Sequence, residues 1–314
     1  MRALVTGASG FLGQHLVDYL FDRDDFVVGL VRDYNRTARK SSANAIVFGS
    51  FDQVERVIAE YEIDTVFHLA AQTQVSVSFA DPVGTLEANV QGTWQVLEAC
   101  RRQKVGRVIV ASSDKSYGDG PTPYREDQPL RPNGIYATSK ACADMLAQSY
   151  AREYGMSVAI TRCGNLFGPG HTNWSTLIPG TIRSILKGER PRLRSNGGPK
   201  RDWLYVGDAV DGYLRLADAT VTGAFNFGTG VGTSVIEVVD TVLKVMGSRL
   251  QPVFEEGQRT YGEMVAAGWP PVEIDEQVLN IDKVHNVLGW KPAHTIAQGL
   301  EKTIEWYRLR LEAL

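Results

Sequence analysis

The sequence contains few cysteines, no block of like charges and no long apolar run. Its only cysteines are Cys100, Cys142 and Cys163, and their odd number and wide separation argue against a disulfide framework and against a metal site. The formal net charge of −3 does not favour nucleic acid or an anionic membrane as a partner. No apolar run approaches the ~20 residues that span a bilayer, and no signal peptide is apparent. We therefore expect a cytoplasmic protein without a metal.

The amino end of the chain has the pattern of a strand, a glycine turn and a helix. Apolar residues 2–6 precede Gly7-Ala-Ser-Gly10-Phe-Leu-Gly13, and a helical pattern follows to about residue 20. This order is typical of a dinucleotide-binding unit, where glycines permit a tight turn, close approach of a pyrophosphate and close helix packing. The alternative is an ordinary glycine turn, but its place directly after a strand favours a cofactor site.

A second pattern, Tyr136-Ala-Thr-Ser-Lys140, places a phenol and an ammonium about one helical turn apart. A neighbouring ammonium is expected to lower the pKa of the phenol. An ionisable tyrosine can take a proton from an alcohol while a hydride leaves the same carbon. Alone the pattern is weak, since any surface helix can carry it.

Strand and helix patterns alternate through the first half of the chain. Strands are predicted near 3–6, 26–31, 65–69, 107–112 and 157–162, and helices near 12–21, 51–61, 83–102 and 136–154. Such alternation predicts an α/β fold with a Rossmann-type doubly wound parallel sheet. A strand near 224–227 is expected to return to the sheet, and helices are predicted near 234–246 and 296–311. We expect a dinucleotide-binding domain at 1–165 with a returning segment at about 201–229. Residues 166–200 and 230–314 would form a smaller C-terminal α/β substrate lobe.

Further motifs occur in a characteristic order: His68-Leu-Ala-Ala71, Asn89-Val-Gln-Gly-Thr93, Ala111-Ser-Ser113, Arg162-Cys-Gly-Asn165-Leu-Phe-Gly-Pro169 and Arg201-Asp-Trp-Leu-Tyr-Val206. With the glycine turn and the Tyr136/Lys140 pair, they resemble the nucleotide-sugar branch of the extended short-chain dehydrogenase/reductase family. Within it, the chain is most similar to NDP-sugar 4,6-dehydratases of the CDP-glucose or GDP-mannose type. The resemblance covers nearly the whole chain. It also implies a homodimer in which helices at about 86–100 and 137–150 pair between subunits.

The resemblance implies a tightly bound, recycled NAD or NADP. Its contacts would come from the glycine turn, the strand ends and the Tyr136/Lys140 helix: Gly7, Ser9, Gly10, Phe11, Leu12, Gly13, Arg32, Ser50, Phe51, Leu69, Ala70, Ala71, Gln72, Tyr136 and Lys140. An acidic residue at the end of the second strand would favour NAD, whereas an arginine would pair with the 2′-phosphate of NADP. Arg32 at that place favours NADP, and the adjacent Asp33 keeps NAD open.

The reaction depends on the residues after the fifth strand. By resemblance, Ser113, Tyr136 and Lys140 would oxidise the sugar at C4. At the two positions after this serine, sugar 4-epimerases usually have small or neutral residues, whereas 4,6-dehydratases have an acid and a base. Here Asp114 would protonate the leaving C6 hydroxyl and Lys115 would remove the C5 proton. The alternative for Asp114-Lys115 is a surface ion pair of little consequence.

The resemblance also implies a nucleotide-diphosphate sugar as substrate, bound by Asn165, Thr176, Leu177, Ile178, Lys187 and Arg201. Asn165 and Arg201 would contact the diphosphate, for which a guanidinium is well suited. The first interpretation is an NDP-sugar 4,6-dehydratase, and the second is an NDP-sugar 4-epimerase. A third is a cofactor-sensing protein without chemistry, which the presence of the complete Ser-Tyr-Lys triad disfavours. The base and the sugar stay open.

Overall fold

The first half of the chain builds one parallel sheet. The computed structural model describes residues 1–32, 42–193, 195–254 and 274–310. Its strands are β1 (Arg2–Thr6), β2 (Phe26–Val31), β3 (Ala45–Phe48), β4 (Thr65–His68), β5 (Arg107–Ala111), β6 (Val158–Cys163), β7 (Asn165–Phe167), β8 (Arg192–Leu193), β9 (Lys200–Tyr205), β10 (Gly223–Phe227), β11 (Gly232–Ser234), β12 (Val253–Phe254) and β13 (Glu276–Gln277). Seven of them form the main sheet in the order β3-β2-β1-β4-β5-β6-β10, and all neighbours are parallel.

Helices connect these strands and cover both faces of the sheet. They are α1 (Phe11–Asp22), α2 (Val54–Glu60), α3 (Val75–Ala80), α4 (Pro82–Leu86), α5 (Gly92–Arg102), α6 (Ile135–Tyr154), α7 (Leu177–Leu186), α8 (Val206–Asp218), α9 (Val235–Met246), α10 (Asp282–Leu288) and α11 (Ile296–Arg310). Helices α1, α8 and α10 pack on one face, and α2, α5 and α6 pack on the other. Because both faces are covered, the central strands are apolar and almost wholly buried, as in other parallel sheets. The predicted Rossmann-type α/β fold is confirmed.

The helix predicted over 83–102 is present as one helical run, but its winding changes in the middle. It consists of α4, a wider turn at Glu87–Gln91 and α5. Within the wide turn, Asn89 is buried, and its amide bonds Gln72 and the Ser139 hydroxyl of α6. A local widening of this kind re-aims a side chain inside a helix, and hydrophobic periodicity alone does not reveal it.

The remaining strands and helices, from the second half of the chain, pack together outside the main sheet. Strand β9 pairs with β7, β11 and β13, and β8 pairs with β12. Helices α7, α9 and α11 share a core that includes Ile178, Val238 and Leu300. The division into a dinucleotide domain and a substrate lobe stays a prediction. In the described ranges, we find no helix with both the length and the apolar character needed to cross a membrane.

Candidate active site

The candidate site lies where the strand order reverses. Strands β2 and β3 lie on one side of β1, and β4, β5 and β6 lie on the other. In such sheets a crevice opens at the carboxyl ends of the strands at this point. A cleft of about 3300 Å³ occupies it here, lined by residues of the glycine turn, by the ends of β2, β4 and β5, by α6, and by the second part of the chain.

The glycine turn has the shape needed for a dinucleotide phosphate. Gly7 has φ of +72°, and a Cβ there would lie 2.8 Å from the amide nitrogen of Ala70. A Cβ on Gly13 would lie 2.1 Å from the carbonyl oxygen of Gly7, so only glycine lets α1 pack this close. Among the described residues no side chain caps α1, which leaves its first N–H groups for an anion. These residues therefore fit a nicotinamide dinucleotide.

Fourteen of the fifteen predicted cofactor residues line the cleft. They are Gly7, Ser9, Gly10, Phe11, Leu12, Gly13, Arg32, Ser50, Phe51, Leu69, Ala70, Ala71, Tyr136 and Lys140. Gln72 is not among the described residues that line it. Instead its backbone pairs with the amide of Asn89, at 2.7 and 2.9 Å. Gln72 thus anchors the turn after β4, and its cofactor contact stays a prediction. Asp33 lies outside the described residues.

His68 is buried and held by hydrogen bonds to two threonines. It is 3% exposed, its Nδ1 lies 2.9 Å from the hydroxyl of Thr6, and its Nε2 lies 3.1 Å from that of Thr93. Thr93 donates its own hydroxyl to the carbonyl oxygen of Asn89, so it accepts from Nε2–H of His68. Burial, assisted by the charge of Lys140, lowers the pKa of His68 to about 3. This histidine therefore stays neutral and links β1, β4 and α5.

Helix α6 presents Tyr136 and Lys140 to the cleft. Gly134, with φ of +85°, precedes the helix and lets the chain turn sharply into its first residue. Lys140 is buried and donates to the carbonyl oxygen of Ala111, at the end of β5. Because Ala111 is two residues before Ser113, this bond joins the helix to the strand end that carries the predicted sugar-binding hydroxyl.

The expected lowering of the phenol pKa is wrong for this structure. Burial raises the pKa of Tyr136 to about 12, a hydrogen bond with Ser113 lowers it in part, and the Asp114 carboxylate raises it further. The cost of burying a phenolate outweighs the stabilisation that the Ser113 hydrogen bond gives it. A phenol of high pKa forms a stronger base once ionised, although a smaller fraction is ionised at neutral pH.

Lys140 gives a testable pH dependence. Burial lowers the pKa of this lysine from 10.5 to about 8, against the opposing effect of Asp144. The ammonium is therefore lost as the pH rises through about 8, and we expect kcat/KM to fall along the same range. Lys140→Arg keeps its charge at all these pH values. In a plot of kcat/KM against pH, the alkaline decrease should move to higher pH in this variant. An unchanged position would mean that a group other than Lys140 causes the decrease.

The elimination pair, Asp114 and Lys115, lies on a tight turn at Asp114–Tyr117 directly after β5. Asp114 is 1% exposed, and its Oδ1 accepts from the hydroxyl of Ser113 at 3.1 Å and from Nζ of Lys115 at 3.3 Å. Its Oδ2 is buried without a hydrogen-bond partner among the described residues. Both residues line the cleft, as do Ser113, Tyr136 and Lys140. The structure thus brings all five predicted catalytic residues to one wall of the cleft.

Five of the six predicted substrate residues line the same cleft. Asn165, Thr176, Leu177, Lys187 and Arg201 line it. Asn165 Oδ1 accepts from Nζ of Lys115 at 2.9 Å, a contact that the sequence did not indicate. Arg201 donates from Nη1 to the carbonyl oxygens of Lys200 and Ile274.

Ile178 does not contribute to the cleft wall. It is 1% exposed in the core between α7, α9 and α11. Successive residues of a helix are rotated by about 100°. Leu177 therefore faces the cleft while Ile178 faces inward, so the structure does not bring the Ile178 side chain to the cleft.

Comparison with known proteins places the chain in a family. Residues 3–228 match the NAD dependent epimerase/dehydratase family. The chain belongs to this family. The family predicted from the motifs is thereby confirmed, and the cofactor cleft described above is of the NAD type.

Three family members illustrate the range of similar proteins. The dTDP-glucose 4,6-dehydratase of Mycolicibacterium smegmatis is 33% identical, over 98% of this chain and 93% of the relative. The structure of a UDP-glucose 4-epimerase from Thermotoga maritima with UDP-glucose superposes with a TM-score of 0.88, at 27% identity over 99% of this chain and 100% of the other. The structure of a dTDP-glucose 4,6-dehydratase from Bacillus anthracis with NAD has a TM-score of 0.84. Its identity is 25%, over 99% of this chain and 98% of the other.

Proposed function

We propose that this enzyme is an NDP-sugar 4,6-dehydratase. The observation that carries the proposal is the elimination pair, which lies in the same cleft wall as Ser113, Tyr136 and Lys140. An epimerase needs only the hydride-transfer triad, whereas a dehydratase also needs an acid and a base beside C5 and C6. The similarity to a dTDP-glucose 4,6-dehydratase along the whole chain supports the same conclusion.

The first part of the reaction uses the triad. When bound, NAD(P)⁺ would accept a hydride from C4 of the sugar and return it at C6. Tyr136 takes the proton of the C4 hydroxyl while Ser113 hydrogen-bonds the same oxygen. Lys140, anchored on the carbonyl of Ala111, favours the phenolate by its charge.

The second part uses the elimination pair. A ketone at C4 acidifies the hydrogen at C5, which Lys115 removes once its ammonium has lost a proton. Asp114, in its protonated form, gives a proton to the C6 hydroxyl, which leaves as water. The buried Oδ2 of Asp114, without a partner among the described residues, suits a carboxyl group that holds and then delivers a proton. Lys115 then returns its proton to C5 as the hydride reaches C6, and the product is an NDP-4-keto-6-deoxy sugar.

The substrate's diphosphate would lie between Asn165 and Arg201. Both line the cleft, Asn165 beside Lys115, and a guanidinium pairs well with phosphate oxygens. Thr176, Leu177 and Lys187 would surround the nucleoside.

Product analysis tests the proposal. The protein would be incubated separately with CDP-glucose, GDP-mannose, dTDP-glucose and UDP-sugars, and the products separated by mass. A product lighter by one water, with the alkaline chromophore of a keto sugar, is expected from one of them. A stereoisomer of unchanged mass would instead identify a 4-epimerase, and no product with any substrate would contradict both.

We further propose NADP as the preferred cofactor, since Arg32 lines the cleft at the end of β2 and is exposed to a ligand. Arg32→Ala should weaken NADP binding by about 10-fold or more, the effect of one charged hydrogen bond, and leave NAD binding unchanged. Calorimetric titration of cofactor-free protein measures both. Arg56→Ala, at an exposed arginine paired with Glu60, is the control. An equal loss for both cofactors would contradict the preference.

We also propose a homodimer formed through α4, α5 and α6. Leu86, Trp94 and Met145 are exposed apolar side chains on these neighbouring helices, at 37%, 45% and 52%. Trp94→Glu should yield monomers in sedimentation velocity, because burying a carboxylate at an apolar interface is costly. Leu309→Glu changes an exposed leucine on α11 and should stay dimeric. A wild-type monomer would contradict the proposal.

The three free cysteines agree with our further proposal of a cytoplasmic location.

A further inference from the structure

A buried ion pair lies behind the catalytic wall. Arg162 of β6 and Asp144 of α6 are 2% and 0% exposed, and they pair through two hydrogen bonds of 2.8 and 3.0 Å. Gln148 also donates to Asp144, at 2.6 Å. Asp144 lies on the same helix as Tyr136 and Lys140, one turn beyond the lysine. The pair therefore fixes the catalytic helix against β6, the strand next to the β10 edge of the sheet.

The same arginine also holds the turn of the elimination pair. Arg162 donates from Nη1 to the hydroxyl of Tyr117 at 2.8 Å, and its guanidinium lies 4.8 Å from the centre of that ring. Tyr117 in turn donates to Oδ1 of Asn226 on β10, at 2.8 Å. Tyr117 is the last residue of the turn Asp114–Tyr117 and is completely buried. A single guanidinium thus connects α6 to the turn after β5.

None of these five residues, Arg162, Asp144, Gln148, Tyr117 and Asn226, is among the described residues that line the cleft, so they do not meet the substrate. Their arrangement nevertheless joins two separate parts of the site. One part is α6, which carries the proton acceptor for C4 oxidation, and the other is the elimination pair. A planar, permanently charged guanidinium can satisfy both partners at fixed angles, which a lysine cannot do.

We propose that Arg162 is a positioning residue that holds the elimination pair in register with α6. The inference rests on the proposed dehydratase function. The network Asp144–Arg162–Tyr117 sets how fast water is eliminated relative to the rate of C4 oxidation. Displacing the far end of the turn at Tyr117 slows the elimination step, while oxidation by Tyr136 and Lys140 of α6, with Ser113 at the end of β5, proceeds.

Tyr117→Phe tests this with the smallest change. The ring, its 4.8 Å stacking on Tyr124 and its contact with the guanidinium remain, and only the hydroxyl is lost. We expect turnover to fall about 10-fold or more, as small misplacements of catalytic groups do. During turnover, a larger fraction of the nicotinamide should be in its reduced form by absorbance. Loss of deuterium from a C5-labelled substrate, measured by mass spectrometry, should slow by the same factor.

Two further variants separate positioning from general loss of stability. Arg162→Lys keeps a cation beside Asp144 but cannot also reach Tyr117, so it should show the same excess of reduced cofactor. The double variant should be no worse than either single one, because both break one connection. Tyr307→Phe removes another buried tyrosine hydroxyl, one that bonds the carbonyl oxygen of His171, and should keep the wild-type ratio.

The outcomes distinguish this inference from the proposed function. If wild type eliminates water and Tyr117→Phe shows the wild-type ratio of reduced cofactor, the positioning role is wrong. Additive losses in the double variant would also overturn it. If wild type releases only a stereoisomer of its substrate, the dehydratase proposal itself is wrong.

Discussion

Tyr136→Phe should abolish catalysis while leaving the fold intact. The substitution removes the group that accepts the C4 proton, and general acid–base catalysis contributes about 10²–10⁴ to a rate. Because the phenol is already half-buried at the start of α6, phenylalanine fits the same space. We expect the rate of product formation to fall by at least the lower limit of that range, with neither reduced cofactor nor keto sugar formed.

Tyr154→Phe is the matched control for this result. It removes a tyrosine hydroxyl from the last residue of the same helix, where the side chain is exposed. Its activity and its unfolding temperature should equal those of wild type. Substantial activity in Tyr136→Phe would mean that another group accepts the proton, and the hydride-transfer interpretation would then fail.

Asp114→Asn should separate oxidation from elimination. The amide has the shape of the carboxyl group but cannot give a proton to the leaving hydroxyl. We expect formation of the 4-keto-6-deoxy sugar to fall by about 10²–10⁴. Oxidation at C4 should continue, because Ser113, Tyr136 and Lys140 are unchanged. Reduced nicotinamide should therefore appear in a single turnover and persist, as stopped-flow absorbance would show.

The control for Asp114→Asn is Asp119→Asn, an exposed aspartate just beyond the same turn. It should turn over at the wild-type rate. If Asp114→Asn makes product normally, the carboxyl is only one partner of an ion pair with Lys115. If it forms neither reduced cofactor nor product, Asp114 supports the oxidation step, and the division of labour proposed above is wrong.

The predicted catalytic residues could be identified from the sequence because each motif consists of residues close together along the chain. Strand, glycine turn and helix occupy adjacent residues, and their order alone fixes the cradle around Gly7 and Gly13. Tyr136 and Lys140 are related by helical periodicity, and Ser113, Asp114 and Lys115 follow one strand directly. Because carboxyl ends of parallel strands meet at one edge, these local patterns converge on one cleft, as the structure shows.

Other features depend on contacts between distant parts of the chain. Ile178 and Leu177 are adjacent in sequence, and only the packing of α7 on α9 and α11 decides which one reaches the cleft. The backbone of Gln72 is held by Asn89, in the wide turn, across 17 residues of sequence. Asp144 lies among buried alanines on α6, and a buried carboxylate needs a charged partner. The sequence does not identify that partner as Arg162, which only the structure shows.

The sequence by itself determined the family, the parallel sheet, the cofactor turn and the grouping of the predicted catalytic residues, because these depend on spacing within single strands, turns and helices. Only the tertiary structure decided the electrostatics of the site. The pKa of Tyr136 rises rather than falls, since desolvation depends on everything that surrounds a group and not on its neighbour one turn away. The tertiary structure alone also brings Lys115 to Asn165 and Arg162 to Tyr117, across separations of 50 and 45 residues.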